Sequence, residues 1–66
     1  MNLFINGQPR TFAALADIGA LVDALGYAGK RIAIEINGEI VPKSQYGTTP
    51  LTDGDRLEIV VAVGGG

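Results

Sequence analysis

The residues able to do chemistry in this sequence are few, and their types exclude most of it. Across 66 residues there is no cysteine and no histidine, so thiol chemistry, disulfides and the usual soft metal ligands are missing. Ser44, Thr48 and Thr49 carry hydroxyls, but with no histidine to act as a base a nucleophilic triad is excluded. Asp53-Gly54-Asp55 lacks the further carboxylates of a calcium loop, and its glycine sits where a turn needs one, so it reads as a turn and no metal site is assigned. Lys30 and Arg31 read as a solvated corner. What remains is the main chain. "LEIVVAVGGG" carries a strand-like segment, with no turn signal, into Gly64, Gly65 and Gly66. A terminal carboxylate is a poor electrophile and reacts only once activated, for example as an acyl adenylate formed in another protein's ATP site. Glycines have no Cβ, so they let a backbone thread a narrow channel to reach such a site. Gly66 is the candidate reactive residue and Gly64 and Gly65 its approach, with no catalytic side chain of the chain's own; on the tail alone, a frayed terminus with no task is the equal alternative. The triplet fits no phosphate-binding loop, which needs a strand, a glycine loop and then a helix.

These residues have to be carried by a very small body. With 47% hydrophobic content and no Pro/Ser-rich stretch, residues 1–63 read as one globular domain and 64–66 as a flexible tail. A domain this short cannot build both a stable core and a deep cleft, so function is expected on its surface or at its ends. Five Lys and Arg stand against seven Asp and Glu, a net charge of −2, and Arg10, Lys30, Arg31, Lys43 and Arg56 are scattered along the chain. Nucleic acid binding needs a concentrated positive field and is not expected. The apolar runs are too short to span a bilayer, and "MNLFING" has no basic segment followed by a long apolar core, so a cytoplasmic, soluble monomer is expected.

The elements follow from pattern. "NLFI" alternates as a short strand, and Asn6-Gly7 accepts the positive φ values of a tight hairpin. The return strand is expected around Arg10 to Ala13, and Pro9 at its start places it at a sheet edge. Asp17 is a good N-cap, and Ile18, Leu21, Val22 and Leu25 fall on one helical face. Gly26 offers a left-handed C-cap, with Tyr27 packing back on the last turn. Gly19 weakens the first turn by roughly 1 kcal/mol relative to Ala. "RIAIEIN" alternates as a half-buried strand, Asn37-Gly38 turns it into the short "EIV", and Pro42 stops that strand. "PKSQYGTTP" reads as irregular with room for one helical turn. After Asp53-Gly54-Asp55 comes a last strand with Leu57, Ile59, Val61 and Val63 on one side and Glu58, Val60 and Ala62 on the other.

Two hairpins around one helix make an α+β domain of order ββαββ, in which the helix covers one face of a mixed sheet. The right-handed crossover rule places the first and last strands parallel in the middle and the hairpin partners outside, the β-grasp arrangement of ubiquitin. A ferredoxin-like alternative needs a second amphipathic helix, which residues 39 to 56 do not offer. If Leu3, Ile5, Ile34, Ile36, Leu57, Ile59 and Val61 face the helix, the open face shows Phe4, Ala33, Val60 and Ala62, an apolar patch close to the tail. Glu35 and Glu58 are expected to rim it, favouring a partner with basic residues. Scattered exposed apolar residues are also ordinary on small sheets.

The segments "IGALVDALGY", "INGEIVPKSQY" and "LTDGDRLEIV" and the tail "VGGG" resemble the ThiS family over essentially the whole chain. These are the sulfur carrier proteins of bacterial thiamin biosynthesis, related to the MoaD-like proteins of the same ubiquitin fold. The Gly-Gly end alone is shared with ubiquitin and the molybdopterin synthase small subunit. More specific is Asn37-Gly38, then Val41-Pro42 with Lys43 and Tyr46, then Asp53-Gly54-Asp55, in so short a chain. Val61-Ala62-Val63 stands where the molybdopterin homologue typically has a proline pair, and Gly19 stands where the family helix usually has a larger residue.

The resemblance implies a protein cosubstrate rather than an enzyme, binding no cofactor itself. An E1-like adenylating enzyme (ThiF-type) would use Mg-ATP to adenylate the carboxylate of Gly66, and a persulfide sulfur donor would displace the AMP. The resulting thiocarboxylate would carry sulfur to a thiazole synthase (ThiG-type), with Phe4, Ala33, Glu35, Glu58, Val60 and Ala62 docking the partners. A carrier for molybdopterin synthesis or tRNA thiolation, a ubiquitin-like modifier of target lysines, and an interaction module with an inert tail remain open on the sequence.

Overall fold

The structure, a computed structural model, describes residues 1–62. Val63, expected on the core side of the last strand, and the tail Gly64 to Gly66 lie outside the described residues. Strand β1 (Asn2–Ile5) turns at Asn6 and Gly7, with φ of 52° and 81°, into β2 (Gln8–Thr11). Helix α1 (Ile18–Ala24) follows, then β3 (Ile32–Ile36), β4 (Glu39–Val41), a 3₁₀ segment at Lys43–Thr48 and β5 (Arg56–Val61). The sheet order is β2-β1-β5-β3-β4, with β1 and β5 parallel and every other pair antiparallel. This is a β-grasp fold with one helix on one face, as the element pattern predicts.

The return strand differs from expectation by two residues: it starts at Gln8, not Arg10, and ends at Thr11, not Ala13. A two-residue turn with both φ values positive pairs Ile5 directly with Gln8, leaving no slack before the strand. Phe4 then faces Pro9 in the next pair, where the ring nitrogen points away from β1 towards solvent. Proline is tolerated there because β2 is an edge, as anticipated.

Asp17 caps α1: its Oδ1 accepts from the Ala20 amide at 2.8 Å. At the other end Gly26 takes φ +76°, and the amides of Gly26 and Tyr27 bond the carbonyls of Asp23 (3.1 Å) and Val22 (3.0 Å), which completes a Schellman ending. Gly19 has a packing reason as well. A Cβ built there would lie 3.2 Å from Asp17 Oδ1, a tight approach to the cap oxygen, and 3.7 Å from the Tyr46 carbonyl oxygen of the 3₁₀ segment, an ordinary contact.

The core lies between α1 and the inner face of the sheet. Leu3, Ile18, Leu21, Ile34 and Leu57 are fully buried, with Ile5, Val22, Val41, Leu51 and Ile59 nearly so. At about 25 cal/mol per Å² such burial is the main term favouring the fold. Ile36 is half-buried at the margin. Val61, expected in the core row, is 36% exposed. It pairs with Ile32 at the far end of β5, beyond the reach of a seven-residue helix. Among the described residues no helix is long and apolar enough to cross a membrane.

Candidate functional site

The tail is launched from the middle of the sheet. β5 pairs with β1 only at Arg56 and Leu57, with the Asn6 side chain extending that side to Ile59, whereas β3 pairs with it through Val61 and the Ala62 amide still donates to the Arg31 carbonyl at 2.9 Å. Ala62, the last described residue, is thus held from the β3 side. Gly64, Gly65 and Gly66, the candidate reactive segment, lie outside the described residues.

Among the described residues no element covers the face of the sheet away from α1, and alternation together with register puts its residues in rows. Ala33 pairs with Val60 nearest the tail, followed along β5 by Ala62. All three are exposed, Val60 at 64%. The next row is Glu58, Glu35 and Ile40, since Glu35 pairs with both Glu58 and Ile40. Beyond it Phe4 pairs with Arg56, whose guanidinium carbon sits 4.8 Å from the Phe4 ring centroid, within cation–π range. A shallow groove of about 510 Å³ runs along this end of the face, with Phe4, Arg56, Glu58, Glu35 and Asn37 in its wall.

The anticipated docking residues thus share one face, but not as one apolar patch with an acidic rim. At roughly 3.4 Å per residue Phe4's row lies about 13 Å from Val60's, and the glutamates form the row between them. Phe4 is half-buried and covered by Arg56, so the apolar part nearest the tail is Val60, Ala33 and Ala62. Sequence reasoning missed two members of the face. Ile40 is 78% exposed, and its place follows from the two-residue turn at Asn37-Gly38, which pairs Ile36 with Glu39 and hence Glu35 with Ile40. Arg56 has the same parity as Glu58 and could have been read from it.

The other polar candidates have structural partners. Asp53 Oδ1 accepts from the Asn2 amide, and Asp55 accepts from the Thr52 amide (2.8 Å) and Asn37 Nδ2 (3.1 Å). With the Gly54 amide bonded to the Asn2 carbonyl at 2.7 Å, this turn fastens the start of β5 to β1. Thr48 and Thr49 hydroxyls both donate to the Gln45 carbonyl, at 3.3 and 2.8 Å, closing the 3₁₀ segment. Among the described residues no three His, Cys, Asp or Glu side chains cluster as metal ligands.

Comparison with known proteins adds four findings. A thiazole synthase of Paramagnetospirillum magneticum is 48% identical over 66 residues, which is all of this chain and 20% of that protein. The chain spans about a fifth of the length of the two thiazole synthases it matches. The ycf40 protein of Porphyra purpurea is 35% identical, with 93% of its length covered. The crystal structure of the thiamine biosynthesis protein ThiS from Geobacter metallireducens superposes over 100% of both chains with a TM-score of 0.83 at 33% identity. The ThiS family model matches residues 3–66, nearly the entire sequence and through the last glycine, and the chain belongs to the ThiS family.

Proposed function

We propose that this chain is a cytoplasmic sulfur carrier for thiazole formation in thiamin biosynthesis, a protein cosubstrate rather than an enzyme. The reacting group is the carboxyl group of Gly66. An E1-like enzyme joins a carboxylate oxygen of Gly66 to the α-phosphorus of ATP, and pyrophosphate leaves. The terminal sulfur of a protein persulfide attacks the acyl carbon and AMP leaves. A second thiol then reduces the acyl disulfide, itself ending in a disulfide with the donor cysteine, and frees the thiocarboxylate. Thiazole synthase takes sulfur from that group.

In this scheme the chain contributes a transferable acyl group, three side-chain-free residues that enter a partner's site, and a face for docking. The lack of cysteine agrees with it, since the sulfur rides on the main chain. The observation that carries the reading is the ThiS-family match running through Gly66. Further support comes from relatives named thiazole synthase that contain a counterpart of this whole chain within a longer polypeptide. Intact-mass measurement after incubation with the activating enzyme, Mg-ATP and a persulfide donor tests it. One oxygen of Gly66 is expected to be replaced by sulfur, and an unchanged mass under conditions that activate a known carrier counts against the proposal. Higher-mass conjugates that vanish on deletion of Gly66 would instead support a protein modifier.

A further inference from the structure

Five cationic residues are present in the sequence, and the fold distributes them unevenly. Arg10 lies over the Phe12 ring at 5.4 Å and Arg56 over the Phe4 ring at 4.8 Å. The remaining three are Lys30 and Arg31, adjacent in the loop between α1 and β3, and Lys43, the first residue of the 3₁₀ segment; together they line one concavity of about 270 Å³ with Gly29 and Ile32. All three are exposed. Lys30 and Arg31 stand together by sequence, and the fold adds Lys43 to them, an arrangement that mutual repulsion opposes.

The location is informative. Arg31 receives the Ala62 amide at 2.9 Å and Ile32 pairs with Val61, so the concavity adjoins the point where the chain passes into residues 63–66. The acidic row Glu35 and Glu58 lies further back along β5. A partner that engages the Ala62 end of β5 meets the positive cluster before it meets the acidic row.

We propose that Lys30, Arg31 and Lys43 form a cationic collar at the root of the tail that docks an acidic rim on the enzyme receiving it. This rests on the function proposed above, in which thiazole synthase receives the tail. Rim charges chiefly raise the rate of productive encounter and fix register, which suits a carrier that must engage and release its partner repeatedly. Bidentate Arg31 and the point charges of the lysines match surface carboxylates.

The test is titration of the full-length chain against thiazole synthase from the same organism, at about 50 mM and about 500 mM salt, conditions on either side of strong screening. Replacing the three cations together (Lys30→Gln, Arg31→Gln, Lys43→Gln) is expected to weaken binding about tenfold at low salt, with the difference largely gone at high salt. Arg10→Gln, on the outer edge strand, is expected to leave affinity unchanged. Should the triple variant melt early, the double variant Lys30→Gln, Lys43→Gln is used, with a smaller loss and a shallower salt dependence than wild type. Equal affinity and equal salt dependence of variant and wild type would overturn the collar while leaving the carrier function standing. Failure of the wild-type chain to bind at all would overturn both. Amide shifts at Gly29 to Ile32 on titrating the isolated chain with inorganic phosphate, without any effect of the variants on enzyme binding, would replace the collar with a small-anion site.

Discussion

The side-chain amide of Asn6 is bonded twice to the main chain of Ile59: Oδ1 accepts from the Ile59 amide at 2.7 Å, and Nδ2 donates to the Ile59 carbonyl at 3.0 Å. Asn6 thus acts as one more rung between β1 and β5, beyond the last backbone pair at Ile5 and Leu57. It does so from a hairpin position with φ +52°, where asparagine is among the few residues tolerated. One residue closes the first hairpin and fixes the strand that leads to the tail. Asn37 repeats the arrangement on the other side of β5. Its Oδ1 accepts from the Arg56 amide at 3.1 Å, while its main-chain N–H, in place of a side-chain donor, bonds the Arg56 carbonyl at 2.7 Å.

Asn6→Gly retains the positive φ and deletes only the two side-chain bonds, so it is expected to cost about 1–2 kcal/mol. Asn6→Ala adds about 1 kcal/mol of left-handed strain to that loss. Urea unfolding should rank wild type above Asn6→Gly and Asn6→Ala last. Glycine matching wild type would mean that the clamp contributes nothing.

Alternation in "RIAIEIN" and "RLEIVV" is enough to read both strands, their faces and, Val61 apart, the residues opposite the helix. What it could not supply is register between strands. Phe4 and Val60 have the parity of one face, yet whether they touch depends on where β1 stops against β5, which the parallel pairing at Arg56 and Leu57 decides. The exposed Ile40 and the cover that Arg56 gives Phe4 were lost for the same reason. Leu51 was missed differently: it is buried from a loop with no period, held where the Ile18 amide bonds the Thr49 carbonyl at 3.1 Å. The cationic concavity was hidden because Lys30 and Lys43 are separated in sequence by a whole hairpin.

Glu35 and Glu58 stand directly opposite on neighbouring strands, and like charges so placed are destabilising. Glu58→Lys converts the pair to opposite charges and is expected to stabilise the fold by about 0.5 kcal/mol at low salt, less as salt is added. Thermal melting at two ionic strengths checks the sign. A lower melting point for Glu58→Lys at low salt would show that another charge dominates at this site.

Val60 separates docking from folding more cleanly than Phe4 does. It is 64% exposed, so Val60→Asp should leave the melting temperature nearly unchanged while weakening binding to thiazole synthase about tenfold, the effect of about 1.4 kcal/mol lost at an interface. Phe4 is half-buried under Arg56, and a charge there disturbs that stack as well. Calorimetric titration of Val60→Asp with unchanged affinity would remove the open face from the docking surface.

Gly19→Ala sets two effects of similar size against each other. Helix propensity favours alanine by about 1 kcal/mol, while the new Cβ presses on Asp17 Oδ1, the cap acceptor, from 3.2 Å. The single variant is expected to gain clearly less than about 1 kcal/mol, with the full gain recovered only when Asp17→Ala has already removed the cap. Denaturant unfolding of the four proteins of the cycle gives the answer, and additivity would rule out the conflict at the cap.

Gly65→Val places a β-branched side chain one residue before the proposed reacting carboxyl group and leaves the described residues untouched. If the tail threads a channel too narrow for a Cβ, formation of the thiocarboxylate should slow by about 100-fold, as expected when reacting atoms are displaced by an ångström or so. Thermal unfolding is expected to be unaffected, and so is docking through the open face. The informative comparison is kcat/KM for activation, read by intact mass, beside the affinity of the same variant for the activating enzyme. A normal rate of sulfur loading on Gly65→Val would show that the glycines are not needed for passage. The reason for three of them in succession would then lie elsewhere than in the partner's channel.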